Sequence, residues 1–276
     1  MGEGTTAVAE KRQYDQSFYD RFGFERRTSE IKDVRGKVIY KGTGIEAPRA
    51  WSDLALRVVG SKYLYNGDDS SKPVETSVRQ LVHRVAADIT DEGITQGIIP
   101  ADQAQTFYEG IVTEVLNQEG SFNSPVWFNV GLNREYGVAE NKPAEGSTHW
   151  AIMPDGTFSD KIDAYKRPQA SACFIQSVQD NMESILTHAR KEGMLFKYGS
   201  GTGTNFSTLR GINEPLSGGG VASGEISFLR IYDIIAGRIQ SGGKKRRAAK
   251  MVITDVDHPD LMRFIYWKVN EERKAL

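Results

Sequence analysis

The second half of the chain alternates between segments that favour a strand and segments that favour a helix. Residues 172–178 are predicted as a strand, and the next helix is expected to begin at Asp180, an N-cap candidate with Glu183 three positions later. A further helix is predicted over residues 228–239, followed by a short strand over residues 251–253 and another helix. This alternation predicts an α/β architecture.

The first half of the chain has a different character. Residues 1–45 are polar and charged with scattered aromatic residues, and we interpret them as a poorly packed N-terminal arm. Apolar residues at helical spacing predict helices over residues 78–89 and 101–117. These helices define a helical N-terminal domain over residues 46–120. Residues 121–276 are assigned to the α/β part, which is expected to be incomplete at its C-terminus.

The composition argues against several classes of protein. With 39% hydrophobic and 26% charged residues, the 276-residue chain is typical of a soluble globular protein. A net charge of −1 gives no global electrostatic reason to bind nucleic acid or an acidic membrane. No apolar run approaches the ~18 residues of a spanning helix, and no secretory signal is visible. The single cysteine excludes an internal disulfide, so we expect a cytoplasmic protein.

The single cysteine, Cys173, lies in the first predicted strand of the α/β part between Ala172 and Phe174. A cysteine in such an apolar strand is ordinarily an inert core residue. The histidines show no metal-ligand spacing, so no metal site is predicted.

A glycine-rich run occupies residues 199–205, with glycines at positions 199, 201 and 203. The spacing differs from the dinucleotide-binding fingerprint, because the third glycine comes too early, and no Gly-Lys-Ser/Thr follows as in a P-loop. The glycines therefore require that the backbone either adopts a positive φ or approaches something closely. Two explanations stay open: a tight connection to a strand, or a ligand that lies against the bare backbone.

A cationic segment follows at residues 241–250, where Gly242 and Gly243 precede four consecutive cations. Such a run is ordinarily a solvated face. The two glycines also make it a flexible cationic loop, which suits the binding of polyphosphate.

Several motifs occur in the order found in one enzyme family. They lie at residues 123–129, 172–175, 199–207, 219–224, 241–251 and 255–260. On these motifs, the chain resembles the adenosylcobalamin-dependent, class II ribonucleotide reductases in their long bacterial form. The resemblance extends from about Trp51 to Leu276 and leaves the first fifty residues outside it.

The resemblance implies a helical domain followed by the first part of a ten-stranded ribonucleotide-reductase-type α/β barrel, truncated in this chain. It implies reduction of ribonucleotides, with diphosphates as the expected substrates, to 2′-deoxyribonucleotides for DNA synthesis. Adenosylcobalamin is the implied cofactor and radical source, with no contacts assigned in this chain. The implied partners are a thioredoxin-like reductant and, in the full-length protein, a second copy in a homodimer.

The resemblance also assigns residues around the substrate. Cys173 matches one member of a cysteine pair that faces the ribose, provides two electrons and closes to a disulfide. Ser124 matches a hydroxyl near the substrate, and Ala172 matches a backbone contact with it. Gly201 matches a position at which the substrate lies against the glycine run.

A second implied site binds a deoxynucleoside triphosphate effector at a dimer interface. Asp180, Asn181 and Met182 match the start of this site, in which Asp180 would hold the ribose hydroxyl and Arg210 the phosphates. A mobile loop that relays effector identity to substrate choice is matched by Gly242, Gly243, Lys244, Lys245, Arg246, Arg247, Ala248 and Ala249.

The helix predicted after residue 258 continues to Leu276 without a stop signal, and neither the thiyl-forming cysteine nor the disulfide partner of Cys173 has a match. We therefore expect the 276 residues to be the inactive N-terminal part of an enzyme. Two other classes stay open: a non-catalytic nucleotide-binding regulatory module, and a nucleic-acid-binding protein that uses the cationic loop. The net charge of −1 and the lack of aromatic residues among the cations disfavour the latter.

Overall fold

The computed structural model describes residues 11–67, 74–138, 148–153, 155–239 and 248–275. The chain divides into two compact units between Ala170 and Ser171. The predicted helical domain and the segment that follows it up to residue 170 therefore belong to one unit.

The first unit begins with a β-hairpin. A short 3-10 helix, Ser17–Phe22, leads into strand β1 (Phe24–Lys32). Strand β1 pairs antiparallel with β2 (Val38–Pro48), with irregularities in the register at the middle and at the C-terminal end of β1.

The prediction of a poorly packed arm over residues 1–45 is wrong for residues 11–45. Tyr14 and Tyr19 are buried in the core of the first unit. The ring of Tyr14 stacks on that of Tyr108 with 4.5 Å between centroids, and the hydroxyls of Tyr19 and Tyr108 lie 3.1 Å apart. The aromatic residues scattered through this polar sequence are therefore its anchors to the core.

The helices of the first unit are α1 (Asp53–Lys62), α2 (Val78–Thr95), α3 (Ala104–Leu116), α4 (Ser124–Asn129) and α5 (Leu132–Tyr136). Both predicted helices are confirmed by α2 and α3. The hydroxyls of Ser52 and Ser77 accept backbone N–H groups at the starts of α1 and α2, as N-cap serines do.

A fully buried ion pair connects α2 to the turn between α4 and α5. Arg84 Nε lies 2.7 Å from Glu75 Oε1, and its guanidinium also donates to the carbonyls of Trp127, at 3.0 Å, and Val130. Gly131 has φ +77°, and a Cβ there would lie 2.4 Å from the carbonyl oxygen of Arg84. Only glycine fits this turn, because both the backbone conformation and the close approach exclude a side chain.

A second hairpin completes the first unit: β3 (Thr148–Ile152) pairs antiparallel with β4 (Phe158–Asp163).

The second unit is a three-stranded parallel sheet with helical connections. Its elements are β5 (Cys173–Ser177), α6 (Met182–Lys197), β6 (Gly201–Asn205), α7 (Glu225–Arg238), β7 (Lys250–Ile253) and α8 (Leu261–Ala275). The strand order is β5-β6-β7, with both pairs parallel. Core residues from the helices and the segment after β6 include Ile185, Phe206, Leu229, Tyr232 and Trp267.

The α/β architecture and the predicted strands and helices of this half are confirmed. Two expectations are not. The glycine run is more than a tight connection to a strand, because its last five residues themselves form β6, the central strand. The sheets of the described residues have two, two and three strands and none is closed, so a ten-stranded barrel is not confirmed. Within the described ranges, every helix is too short or too polar to cross a bilayer.

Candidate functional site

Cys173 opens strand β5 with its side chain exposed, which contradicts the interpretation of an inert core residue. Alternate residues of a strand point to the same face, and exposure alternates along β5, so Cys173, Ile175 and Ser177 share one exposed face. Ile175 is 80% exposed there. Parallel sheets are normally covered on both faces, and this face is open in the part of the chain that the structure describes.

The glycines of β6 allow neighbouring segments of the same polypeptide to approach this face closely. Gly201 is the register partner of Cys173, and its N–H donates to the carbonyl of Ala172 at 2.6 Å. A Cβ at position 201 would lie 2.9 Å from the carbonyl oxygen of Ala249. Gly203 would meet the end of the Ile175 side chain at 3.0 Å in the same way. In this structure the close neighbour of Gly201 is thus protein backbone.

The start of α6 differs in detail from the prediction. Asn181, not Asp180, is the N-cap, and its Oδ1 accepts the N–H of Ser184 at 2.9 Å. The side chain of Asp180 instead pairs with Arg210, with 2.5 Å between Oδ2 and Nε. Both members of the pair are partly exposed. Capping-box spacing alone placed the cap one residue early.

The fold thus gathers the effector residues that the resemblance assigned. Asp180, Asn181 and Met182 lie together at the start of α6, with the Met182 side chain exposed, and Arg210 reaches Asp180 from the segment after β6. A guanidinium beside a carboxylate at a partly exposed helix start offers both a hydroxyl acceptor and a phosphate donor.

Ser124 belongs to the first unit, whereas Ala172, Cys173 and Gly201 belong to the second. Ser124 begins α4, and its Oγ lies 3.0 Å from the hydroxyl of Tyr63. The Tyr63 ring stacks on Phe128 with 5.2 Å between centroids, which fixes the position of the hydroxyl.

The predicted mobile loop lies mostly outside the described residues. Gly242, Gly243, Lys244, Lys245, Arg246 and Arg247 fall there. Ala248 and Ala249 are described and lead directly into β7.

Sequence reasoning missed a buried polar cluster on the helix side of the sheet. Lys250, interpreted as part of a solvated cationic loop, pairs instead with Glu192 of α6. Thr202 also donates to Glu192, at 2.8 Å, and His188 Nε2 lies 2.9 Å from the hydroxyl of Thr204. Burial lowers the pKa of both Lys250 and His188. The signal for this cluster was the two-residue alternation of a strand. It places Lys250 on the same face of β7 as Val252, and Met251 on the opposite face.

A second buried cluster lies where α8 begins. Glu225 is fully buried at the start of α7, and burial raises the pKa of its carboxyl. Thr254 donates to Glu225 at 2.9 Å, and Asp260 accepts the N–H groups of Ile212 and Glu225. His258 Nε2 lies 2.7 Å from the carbonyl of Leu209. The cluster joins the two helices to the loops between the strands.

Helices α6 and α7 also present an exposed apolar face. Its side chains are those of Met182, Leu186, Met194, Ile231 and Ile234, the last 65% exposed. A groove of about 450 Å³ runs between the two helices and is lined by residues that include Gly193 and Ile235.

Two family models match the chain. Residues 171–276, the second unit, match the barrel domain of ribonucleotide reductase. Residues 25–118 match the class II vitamin B12-dependent ribonucleotide reductase. The second match begins well before Trp51, so the expectation that the first fifty residues lie outside the family is wrong for residues 25–50.

Curated relatives agree with both matches. The chain is 48% identical over 256 residues to a vitamin B12-dependent ribonucleotide reductase of Rhodopirellula baltica, covering 91% of this chain and 24% of that protein. It is 40% identical over 297 aligned residues to one of Bradyrhizobium diazoefficiens, covering 94% and 23%. A shorter match, 42% identical over 109 residues, is to a vitamin B12-dependent ribonucleoside-diphosphate reductase of Thermoplasma acidophilum, covering 39% and 14%.

The parallel sheet of the second unit and its barrel-domain match define the class as ribonucleotide reductase. Within that class, the chain belongs to the vitamin B12-dependent, class II family. It spans about a quarter of the length of the curated relatives that it matches over nine-tenths of its own length.

Proposed function

We propose that this chain forms the part of a class II ribonucleotide reductase that handles substrate and effector nucleotides. The whole enzyme reduces ribonucleoside diphosphates to 2′-deoxyribonucleotides for DNA synthesis. The observation that carries the proposal is the exposed thiol of Cys173, in register with Gly201 on an open face of the parallel sheet. The diphosphate form of the substrate follows the name of the Thermoplasma relative.

Cys173 supplies reducing equivalents to the ribose. In the net reaction, two thiols lose two hydrogen atoms and close to a disulfide, the C2′–OH bond breaks, C2′ gains a hydrogen and water leaves. The chain contains one cysteine, so the second thiol comes from outside these 276 residues. A thioredoxin-like dithiol then reopens the disulfide by thiolate exchange.

The open face of the sheet supports a barrel. Ile175, Met251 and Ile253 expose apolar side chains on the same face of the sheet as Cys173. A parallel sheet with helices on one face requires cover on the other, because exposed apolar area is unfavourable in water. Further strands that curve the sheet into the ten-stranded barrel of the family would supply this cover and enclose the thiol.

The cofactor that the family implies is adenosylcobalamin, which supplies the radical that starts the reaction. Among the described residues, no three or more His, Cys, Asp and Glu side chains gather in a group that could hold a metal ion. Because cobalt enters already bound by the corrin ring, this finding concerns a free metal ion only, and no residue of this chain is assigned to the cofactor.

The start of α6 binds the effector, a deoxynucleoside triphosphate. Arg210 provides a charge-assisted donor to phosphate, and Asp180 provides an acceptor for the ribose hydroxyl. The 2.5 Å contact between the two side chains supports one shared site. Residues Gly242 to Ala249 then transmit the identity of the bound effector to the substrate site and so determine which base is accepted.

A second copy of the chain covers the exposed apolar face of α6 and α7. The face begins at Met182, beside the proposed effector residues, so a dimer formed there would place the effector at the interface. The exposed Leu186 and Ile234 support this location, because exposed large apolar side chains favour burial against a partner. A non-catalytic regulatory module is not favoured, because relatives that match nine-tenths of the chain are named reductases.

An assay of the full-length protein tests the proposal. The protein is supplied with ribonucleoside diphosphates, a dithiol and adenosylcobalamin. The deoxynucleotides formed are quantified by chromatography. Product that requires the cofactor supports the reductase. Effector binding without product in the full-length protein would support the regulatory module instead.

A further inference from the structure

The ammonium of Lys250 is held in a closed setting beneath the sheet. Its side chain is 10% exposed, and it contacts Glu192, whose side chain is 0% exposed. The ring centroids of Phe206 and Tyr232 lie 4.9 Å and 4.6 Å from Lys250 Nζ, so aromatic faces complete its surroundings. The charge is therefore held by one carboxylate oxygen and two rings.

Each group around Lys250 is itself fixed to another element. The same oxygen of Glu192 accepts the hydroxyl of Thr202 on β6 at 2.8 Å. The hydroxyl of Tyr232, on α7, donates to the carbonyl of Ile185 on α6 at 2.8 Å. Lys250 thus joins β7 to α6, β6 and α7 at one point.

Stability alone does not account for this ion pair. Removing two charges from water is expensive, and an apolar pair of the same volume often gives equal or greater stability. An ion pair differs from an apolar pair in fixing direction and distance, and buried polar pairs have this role in other folds. An ion pair in this position can therefore fix where β7 begins relative to α6.

Ala249, the residue before Lys250, contacts β6 next to the position that pairs with Cys173. Lys250 is the register partner of Thr202, and the carbonyl of Ala249 accepts the N–H of Thr202 at 3.0 Å. The oxygen of that carbonyl also lies only 2.9 Å from the position that a Cβ at residue 201 would take. Moving the start of β7 would therefore move Ala249 against Gly201, the register partner of Cys173.

We propose that Lys250, through its ion pair with Glu192, is a positioning residue for base specificity. It connects α6, the helix that begins at the proposed effector residues, to the Ala249 carbonyl at the proposed substrate site. The proposal rests on the proposed function, and it adds a contact that does not involve the cationic side chains of residues 244–247.

The test uses the full-length enzyme with both charges removed. In Lys250→Met/Glu192→Gln the shapes are nearly kept, and the glutamine still accepts the Thr202 hydroxyl. Glu192→Gln alone is prepared beside it, so that a folding failure of the double variant leaves a second decisive protein. The matched control is Arg230→Met/Glu271→Gln, which removes an exposed 2.9 Å pair between α7 and α8.

Two quantities are measured for each protein. Competing ribonucleoside diphosphates are reduced with each deoxynucleoside triphosphate in turn, and the ratio of products gives the response to the effector. Titration gives the affinity for each deoxynucleoside triphosphate. In the double variant, we expect the effector-driven change in product ratio to be at least about fivefold smaller than in the wild type. Its affinity for each deoxynucleoside triphosphate should stay within about threefold of the wild-type value. The control should match the wild type in both.

The proposal is overturned if a folded double variant keeps the product-ratio response within about twofold of the wild type, or if affinity falls together with the response, as a merely structural pair would cause. Should the double variant not fold, Glu192→Gln decides by the same two criteria. A wild-type enzyme whose product ratio ignores every effector would instead contradict the proposed function itself.

Discussion

Asp180 and Arg210 are separated by 30 residues in sequence, yet their side chains meet with 2.5 Å between Oδ2 and Nε. The contact joins the start of α6 to the segment after β6. Because each side chain is about a third exposed, the pair adds only ~0–1 kcal/mol to stability. The pair therefore contributes little to the fold, which is consistent with the role in effector binding that we propose for it.

Arg210→Gln is expected to weaken deoxynucleoside triphosphate binding by ~1.5–3 kcal/mol, the range for a hydrogen bond to a charged group. Asp180→Asn should weaken it less, because an amide oxygen still accepts the ribose hydroxyl. Calorimetric titration of the full-length protein measures both. Lys268→Gln, which breaks an exposed ion pair elsewhere in the unit, is the control. Equal affinities in all the variants would reject this effector site.

The cap of α6 gives a separate prediction about stability. Asn181→Ala should lower the free energy of unfolding by ~0.5–2 kcal/mol, because the N–H of Ser184 loses its acceptor. Asp180→Ala should change it much less, since Asp180 does not cap the helix. Chemical unfolding of the two variants compares the losses. A larger loss of unfolding free energy in Asp180→Ala than in Asn181→Ala would show that Asp180 is the N-cap.

Exposed apolar residues of α6 and α7 predict a dimer that a single charge disrupts. Leu186→Asp should shift the full-length protein from dimer to monomer and leave its circular dichroism spectrum like that of the wild type, because Leu186 is exposed in the single chain. Analytical ultracentrifugation measures the shift. Val256→Asp changes a residue that is 85% exposed outside this face and should stay dimeric. A dimeric Leu186→Asp would place the interface elsewhere.

Asp88 of α2 gives a pH-dependent prediction. Burial raises the pKa of this carboxyl from 3.8 to about 6. The folded state therefore holds a proton that the unfolded state releases, so the stability contributed by Asp88 is full below pH ~4 and is lost as pH rises to ~6.

Asp88→Asn keeps an acceptor for the N–H of Gly131 and removes the titration. It should be more stable than the wild type by up to about 3 kcal/mol above pH 6.5, with the advantage shrinking towards pH 4. Chemical unfolding at a series of pH values measures the difference. A difference that does not vary with pH would show that folding leaves the pKa of Asp88 unchanged.

Local patterns predicted much of this fold. Apolar spacing located α2, α3 and α7, and the alternation of element types identified the α/β unit. Two features were not predicted, because each depends on contacts between residues that are far apart in sequence. The aromatic residues of the N-terminal segment pack on Tyr108 of α3, far away in sequence. The glycine run forms a central strand because its neighbours approach closely from both sides.

The site was predictable only through resemblance. No spacing rule connects Asp180 to Arg210, because parallel strands and a helix connection bring them together. Lys250 was misinterpreted for a related reason: its charge fits a solvated loop, and the burial that defines its role depends on Glu192, which lies on another element. Charge is visible in a sequence, whereas the partner that makes a charge acceptable in a core is not.

The redox role of Cys173 is the central claim, and turnover by the full-length Cys173→Ser variant tests it most directly. Serine is nearly isosteric and the position is exposed, so the fold should be kept. We expect loss of multiple turnover with an external dithiol, while nucleotide binding is retained. Turnover within a few-fold of the wild type would contradict the assignment and leave Cys173 as an ordinary exposed residue at the start of β5.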